Sequence, residues 1–90
     1  MPVIKMPAPL RSYVNGLAEV PVRGATVGAV IGDLMEQYPI MRPHLADPAG
    51  TLRPFVNLFL GSNNIKDLQG LDTLLNPEDV LILVPSIAGG

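Results

Sequence analysis

The chain ends in Ser86-Ile-Ala-Gly-Gly90, so its last functional group is a carboxylate on a residue without a side chain. A carboxylate is inert until it is activated; as an acyl adenylate it reacts with a sulfur or amine nucleophile. Gly89 and Gly90 lack a Cβ, so a partner can enclose their backbone on all sides. A terminus of small residues without any chemistry is the alternative, and Gly-Gly by itself does not separate the two. The remaining chemistry-bearing residues offer less. His44 is the only histidine, which excludes a Ser-His-Asp triad or a two-histidine metal site within one chain, and its neighbours Pro43 and Leu45 place it in a solvated loop. Asp33 and Glu36, three apart on a helix, read as a solvated face before they read as a general acid–base pair. Asp47, Asp67, Asp72, Glu78 and Asp79 fall in turns, where bonding to the local backbone accounts for them. Cysteine is absent, which removes disulfides, thiolate metal sites, cysteine nucleophiles and a protein persulfide.

Ninety residues suffice for one small domain. A chain of this size buries roughly 60–65% of its unfolded surface, enough for a modest core without a large internal cavity. That core must be aliphatic, since Trp is absent and Tyr13, Tyr38, Phe55 and Phe59 are the only aromatics besides His44. Six basic residues against eight acidic ones give a net charge of −2 and no general attraction for nucleic acid. No apolar run approaches the roughly 20 residues of a membrane span. Met1-Pro-Val-Ile-Lys5 lacks the pattern of a signal peptide, which with the missing cysteines points to a cytoplasmic protein.

The elements that must position the terminus are legible from periodicity. Val3–Met6 is a short strand ended by Pro7 and Pro9. Leu17–Arg23 alternates with period two; Ala18, Val20 and Val22 share one face, and Pro21 suits an edge strand. Asn15-Gly16 supplies the turn of a hairpin with a loose loop. Thr26 is an N-cap, and Val27, Val30, Ile31, Leu34 and Tyr38 form one helical face that Pro39 ends. Gly28 and Gly32 flank this stripe, which predicts close packing of helix on sheet; a membrane dimer motif and a phosphate loop both lack their context. Met41–Arg53 reads as a loop with at most one short turn, Phe55–Leu60 as a strand closed by Gly61-Ser-Asn-Asn64, and Ile65–Leu75 as an irregular stretch holding one short strand. Asn76-Pro-Glu-Asp79 is a turn before a buried strand, Val80–Val84, ended by Pro85.

The order β-β-α-β-(β)-β predicts an α+β fold of the β-grasp, ubiquitin-like type: a mixed four- to five-stranded sheet packed on one helix. The domain covers 1–85, with a flexible tail over 86–90 that extends roughly 17 Å beyond the last strand. Parity sorts the third strand into Val56, Leu58 and Leu60 on one face and Phe55, Asn57 and Phe59 on the other. With the aliphatic set under the helix, Phe55 and Phe59 lie on the open face beside Val80, Ile82 and Val84. An exposed apolar patch of roughly a few hundred Å² on so small a protein marks a docking surface. Pairing of the sheet with itself in a homodimer and the reverse parity are the alternatives.

The β-β-α-β-β order, Arg53-Pro-Phe-Val-Asn57, Asp79-Val-Leu-Ile-Leu-Val-Pro85 and the ending Ser86-Ile-Ala-Gly-Gly90 resemble the MoaD/ThiS sulfur carriers, relatives of ubiquitin. Phe-Val-Asn in the third strand, the long Pro-rich loop before it and the Ala-Gly-Gly ending are most similar to the CysO/MoaD-like branch. Ser86 departs from the second proline common among MoaD relatives. The resemblance implies a protein co-substrate, not an enzyme. A ubiquitin-activating-type adenylyltransferase (MoeB/ThiF-like) would consume ATP to adenylate the Gly90 carboxylate. Sulfide or a persulfide would then convert it to a thiocarboxylate that gives its sulfur up inside an accepting enzyme. That acceptor is a PLP-dependent cysteine synthase or the large subunit of molybdopterin synthase, which acts on a molybdopterin precursor; the carrier itself binds no cofactor. Ile87, Ala88 and Gly89 would thread the partner's active site, and Phe55, Phe59, Ile82 and Val84 would dock. A ubiquitin-like modifier joined to lysines through Gly90 is the alternative function.

Overall fold

Alternating apolar residues make strands that each bury one face, and a helix with one apolar stripe covers that face. In the computed structural model, which describes residues 1–85, this pattern closes into a five-stranded mixed sheet crossed on one side by a helix. The strands are β1 (Val3–Lys5), β2 (Glu19–Pro21), β3 (Val56–Leu60), β4 (Asn63–Asn64) and β5 (Val80–Pro85), in the spatial order β2-β1-β5-β3-β4. β1 and β5, the first and last strands, lie side by side and parallel in the middle, and the other pairs are antiparallel. The expected β-grasp arrangement is the one observed. Pro21 sits on an edge strand, where its missing N–H removes no ladder bond.

Helix α1 (Val27–Gln37) begins at Thr26, whose hydroxyl accepts a hydrogen bond from the Ala29 amide at 3.1 Å. It presents Val27, Val30, Ile31 and Leu34 to the inner face of the sheet. From the strands, Val20, Ile4, Leu81, Leu83, Val56 and Leu58 meet them, all buried. Asp33 ties the helix to the edge strand: its Oδ2 accepts from the Arg23 amide at 2.9 Å and from the Gln37 side chain at 2.8 Å. Gln37 also donates to the Pro21 carbonyl, so the edge strand is fastened to the C-terminal end of α1.

Several segments depart from the sequence reading. The connection after β1 is a 3-10 helix, Ala8–Val14, started by prolines that suit a first turn and ended by Asn15 in the left-handed region at φ 58°. Its Val14 is buried, so the segment belongs to the core. The supposed loop from Met41 to Arg53 opens in a 3-10 turn (Pro39–Met41) and a helical turn, α2 (Arg42–Leu45), which bury Met41 and Leu45 four residues apart. The fourth strand is Asn63–Asn64, within the segment read as a turn, and Ile65–Leu75 holds two 3-10 turns in place of a strand. These turns reach α1 through paired backbone bonds, Val27 N–H to the Thr73 carbonyl at 3.0 Å and Leu75 N–H to the Ala25 carbonyl at 2.8 Å. Gly28 consequently packs on a turn, not on the sheet: a Cβ there would stand 3.2 Å from the Leu71 carbonyl oxygen and 3.3 Å from its Cβ. Gly32 has open space where a Cβ would point. Finally, β5 is buried only at alternate residues, Leu81 and Leu83, and it includes Pro85.

Candidate functional site

The register of the sheet composes its open face. Opposite residues form a transverse row from Glu19 on β2 through Lys5 on β1, Ile82 on β5 and Phe59 on β3 to Asn64 on β4. Val84 faces Asn57 in the next row toward the end of β5. Ile82 is 36% exposed and Val84 42%, whereas their neighbours Leu81 and Leu83 are buried on the opposite face. Three of the four predicted docking residues, Phe59, Ile82 and Val84, are thus brought together on adjacent strands. Phe55 precedes β3; it is half-buried and packs against the core, so the alternation that set it beside Phe59 begins only at Val56.

At the C-terminal end of β5 the face deepens into a groove of about 640 Å³, walled by Ile82, Val84 and Pro85 on one side and by Met6, Pro7 and Pro9 on the other. Lys5 and Arg11 stand on its rim. Arg11 is held in place by donating from Nε to the Met6 carbonyl at 3.1 Å. Beyond β3 the amine of Lys66 donates to the Pro54 carbonyl at 3.1 Å and to Asn57 Oδ1 at 3.4 Å, and Asn64 Nδ2 donates to the same oxygen at 3.2 Å. An apolar strip bordered by fixed cations and amides results, on a chain whose net charge is negative. The basic rim was missed in the sequence. Lys5 was accessible there, because the alternation Val3-Ile4-Lys5 puts it opposite the buried Ile4. Arg11 was not, because its position depends on the unpredicted 3-10 helix.

The other candidate residues take structural places. His44 lies on α2, exposed, with its ring stacked on that of Tyr13 at a centroid distance of 4.6 Å. Asp47 Oδ1 accepts from the Ala49 and Thr51 amides, and Asp79 Oδ2 from the Asn76 amide at 2.7 Å, the local bonding expected of turn aspartates. Asp33 is engaged in the tether described above, and Glu36 is exposed. Among the described residues no group of three or more His, Asp or Glu converges. Ile87, Ala88, Gly89 and Gly90 lie outside the described residues.

A β-grasp sheet with its last strand in the centre, continued within five residues to a Gly-Gly end, agrees with what comparison with known proteins finds: the ThiS family model matches residues 4–90. The chain belongs to the ThiS family. It is 34% identical over 89 residues to the sulfur carrier protein CysO of Mycobacterium tuberculosis, covering 97% of this chain and 96% of that one. The crystal structure of M. tuberculosis CysO superposes with a TM-score of 0.85 at 30% identity, over 97% of this chain and 100% of the other. CysO from Amycolatopsis orientalis, solved in a complex with BexX, gives a TM-score of 0.88 at 26% identity over 100% of both chains. The solution structure of small archaeal modifier protein 1 from Methanosarcina acetivorans gives 0.84 at 30% identity, over 99% of this chain and 95% of that one. The ThiS-family chain is accordingly a sulfur carrier of the CysO/ThiS type, a small carrier protein rather than an enzyme. No helix among its described residues is long and apolar enough to cross a membrane.

Proposed function

We propose that the sulfur is carried as a thiocarboxylate on Gly90. An adenylyltransferase of the ubiquitin-activating type joins the carboxylate to the α-phosphate of ATP and releases pyrophosphate. Sulfide displaces AMP from the acyl carbon and leaves the thiocarboxylate directly. A persulfide displaces AMP to give an acyl disulfide, whose S–S bond a second thiol of the sulfur donor then cleaves, releasing the thiocarboxylate and leaving a disulfide. The carrier binds no cofactor of its own, and ATP is consumed by the activating partner. The acceptor is a cysteine synthase, with its PLP, or the large subunit of molybdopterin synthase, with its molybdopterin precursor.

The observation that carries this reading is the position of β5. It is the central strand of the five, bonded to β1 on one side and β3 on the other, and it runs to Pro85, immediately before Ser86-Ile-Ala-Gly-Gly90. A tail leaving the best-anchored strand has a fixed point of departure, and residues without bulk beyond Ile87 suit a narrow channel. Phe59, Ile82 and Val84, with Phe55 at the margin, form the docking strip beside that departure point, and Ile87, Ala88 and Gly89 thread the partner. The test is ATP–pyrophosphate exchange by the activating enzyme. Exchange is expected with the full chain and not with a chain lacking Gly90; exchange indifferent to Gly90 would refute the reading.

The likeness to small archaeal modifier protein 1 favours a second reading, in which the same activated carboxylate forms isopeptide bonds with lysines of other proteins. Gly-Gly remnants on lysines of target proteins would support it, and their absence under sulfur limitation would count against it.

A further inference from the structure

A second cavity lies on the helix side of the molecule and shares no residue with the groove at the end of β5. It has a volume of about 350 Å³, at the lower end of the range of small-molecule sites. Its apolar lining comes from Met35 on α1 with Pro43, Ala46 and Pro48, and its charges are Arg42, Arg53 and Asp47. We propose that this cavity binds a small organic monocarboxylate, with the apolar body against Met35 and the carboxylate between Arg42 and Arg53.

Three observations lead to that ligand class. Both arginines are available: Arg42 has no side-chain hydrogen bond or ion pair among the described residues, and Arg53 uses Nε for the Pro43 carbonyl at 2.8 Å. The latter bond orients the guanidinium and leaves its two terminal nitrogens as the bidentate donors that suit a carboxylate. The wall opposite is fixed before any ligand arrives. Four hydrogen bonds close the loop from Asp47 to Thr51: Asp47 N–H to the Thr51 carbonyl, Gly50 N–H to the Asp47 carbonyl, and the Ala49 and Thr51 amides to Asp47 Oδ1. A preformed wall lowers the ordering cost of binding. The charge balance selects among anions. Two guanidinium groups and one carboxylate leave a surplus of one positive charge, which a monoanion neutralises, while a phosphate dianion adds repulsion from Asp47.

Titrating the full chain with phenylacetate, phenyl phosphate or benzyl alcohol while recording amide NMR shifts tests the proposal. Phenylacetate is expected to give saturable shifts at Met35, Ala46, Asp47, Gly50 and Arg53 with millimolar affinity, the scale set by so few non-hydrogen atoms. Benzyl alcohol should bind at least about tenfold more weakly, since it lacks the charge-assisted bonds. Arg42→Met, a change on an exposed side chain, should weaken phenylacetate about tenfold with the rest of the spectrum unmoved. Asp47→Asn keeps the Oδ1 acceptor but removes the charge, and should tighten phenyl phosphate about threefold or more. The proposal is overturned if no saturable shifts occur at these amides, or if benzyl alcohol matches phenylacetate. It is overturned equally by an Arg42→Met chain that binds like the parent, or by equal shifts around Lys5 and Arg11.

Discussion

Ile82 and Leu83 are neighbours on β5, and changing each in turn separates the residue that holds the fold from the one proposed to meet a partner. Leu83 is 2% exposed and lies opposite Leu58 in the core beneath α1. Truncating it to alanine removes buried methyl groups and leaves a cavity, a cost of about 2–5 kcal/mol. A domain of this size has a total stability of about 4–13 kcal/mol, so Leu83→Ala consumes a large part of it. The corresponding fall in melting temperature is roughly 10–30 °C. Ile82, 36% exposed on the other face, opposes Phe59. Ile82→Thr preserves branching at Cβ and hence strand preference, so its stability cost stays near or below about 1 kcal/mol. Its effect falls on docking: an apolar residue central to a contact is worth about 2 kcal/mol, roughly thirtyfold in affinity. Thermal unfolding by circular dichroism measures the first quantity and the KM of the activating enzyme for the carrier measures the second. The expected outcome is a large loss of stability in Leu83→Ala and a raised KM with a nearly unchanged melting temperature in Ile82→Thr. Equal destabilisation by the two would refute the assignment of faces, and an unchanged KM would refute the docking role.

Other expectations concern the scaffold. Thr26→Ala removes the hydroxyl that accepts from Ala29 and should cost about 1 kcal/mol, read as a shift in the urea midpoint without a change in slope. Gly32→Ala should stabilise α1 by up to about 1 kcal/mol, because its Cβ meets open space. Gly28→Ala gains the same propensity but presses on the backbone of Leu71, so it should rank below Gly32→Ala in melting temperature. Asp47→Ala strips two amides of their acceptor and should cost about 1 kcal/mol, a loss that Asp47→Asn largely avoids.

Much of this architecture was legible because it is periodic. Alternation in Leu17–Arg23 and in Phe55–Leu60, the stripe from Val27 to Leu34 and the cap at Thr26 together dictate strands, helix and their facing sides. The segments that escaped have no period long enough to read. Ala8–Val14 turns once or twice behind Pro7 and Pro9, whose rigid φ is as compatible with a loop as with a 3-10 turn. Met41 and Leu45 carry a helical spacing, but a single interval among prolines, glycine and aspartate is too little to outweigh a loop composition. Asn63-Asn64 is a strand only because Phe59 and Leu60 offer it a ladder. The contact that constrains Gly28 comes from Leu71, more than forty positions along, and nothing local announces it. The apolar strip of Phe59, Ile82 and Val84 was legible by parity, with Phe55 as the residue beyond the reach of that rule, whereas the cavity bearing Arg42 and Arg53 depends on where two irregular segments meet.

The central claim is that sulfur resides on the terminal carboxylate. Its most direct test is the intact mass of the carrier after incubation with its activating enzyme, ATP and a sulfur source, followed by fragmentation to place any change. Replacement of one oxygen by sulfur adds about sixteen mass units. That gain is expected, confined to Gly90; an unchanged mass, or a gain placed on any other residue, would contradict a thiocarboxylate carrier.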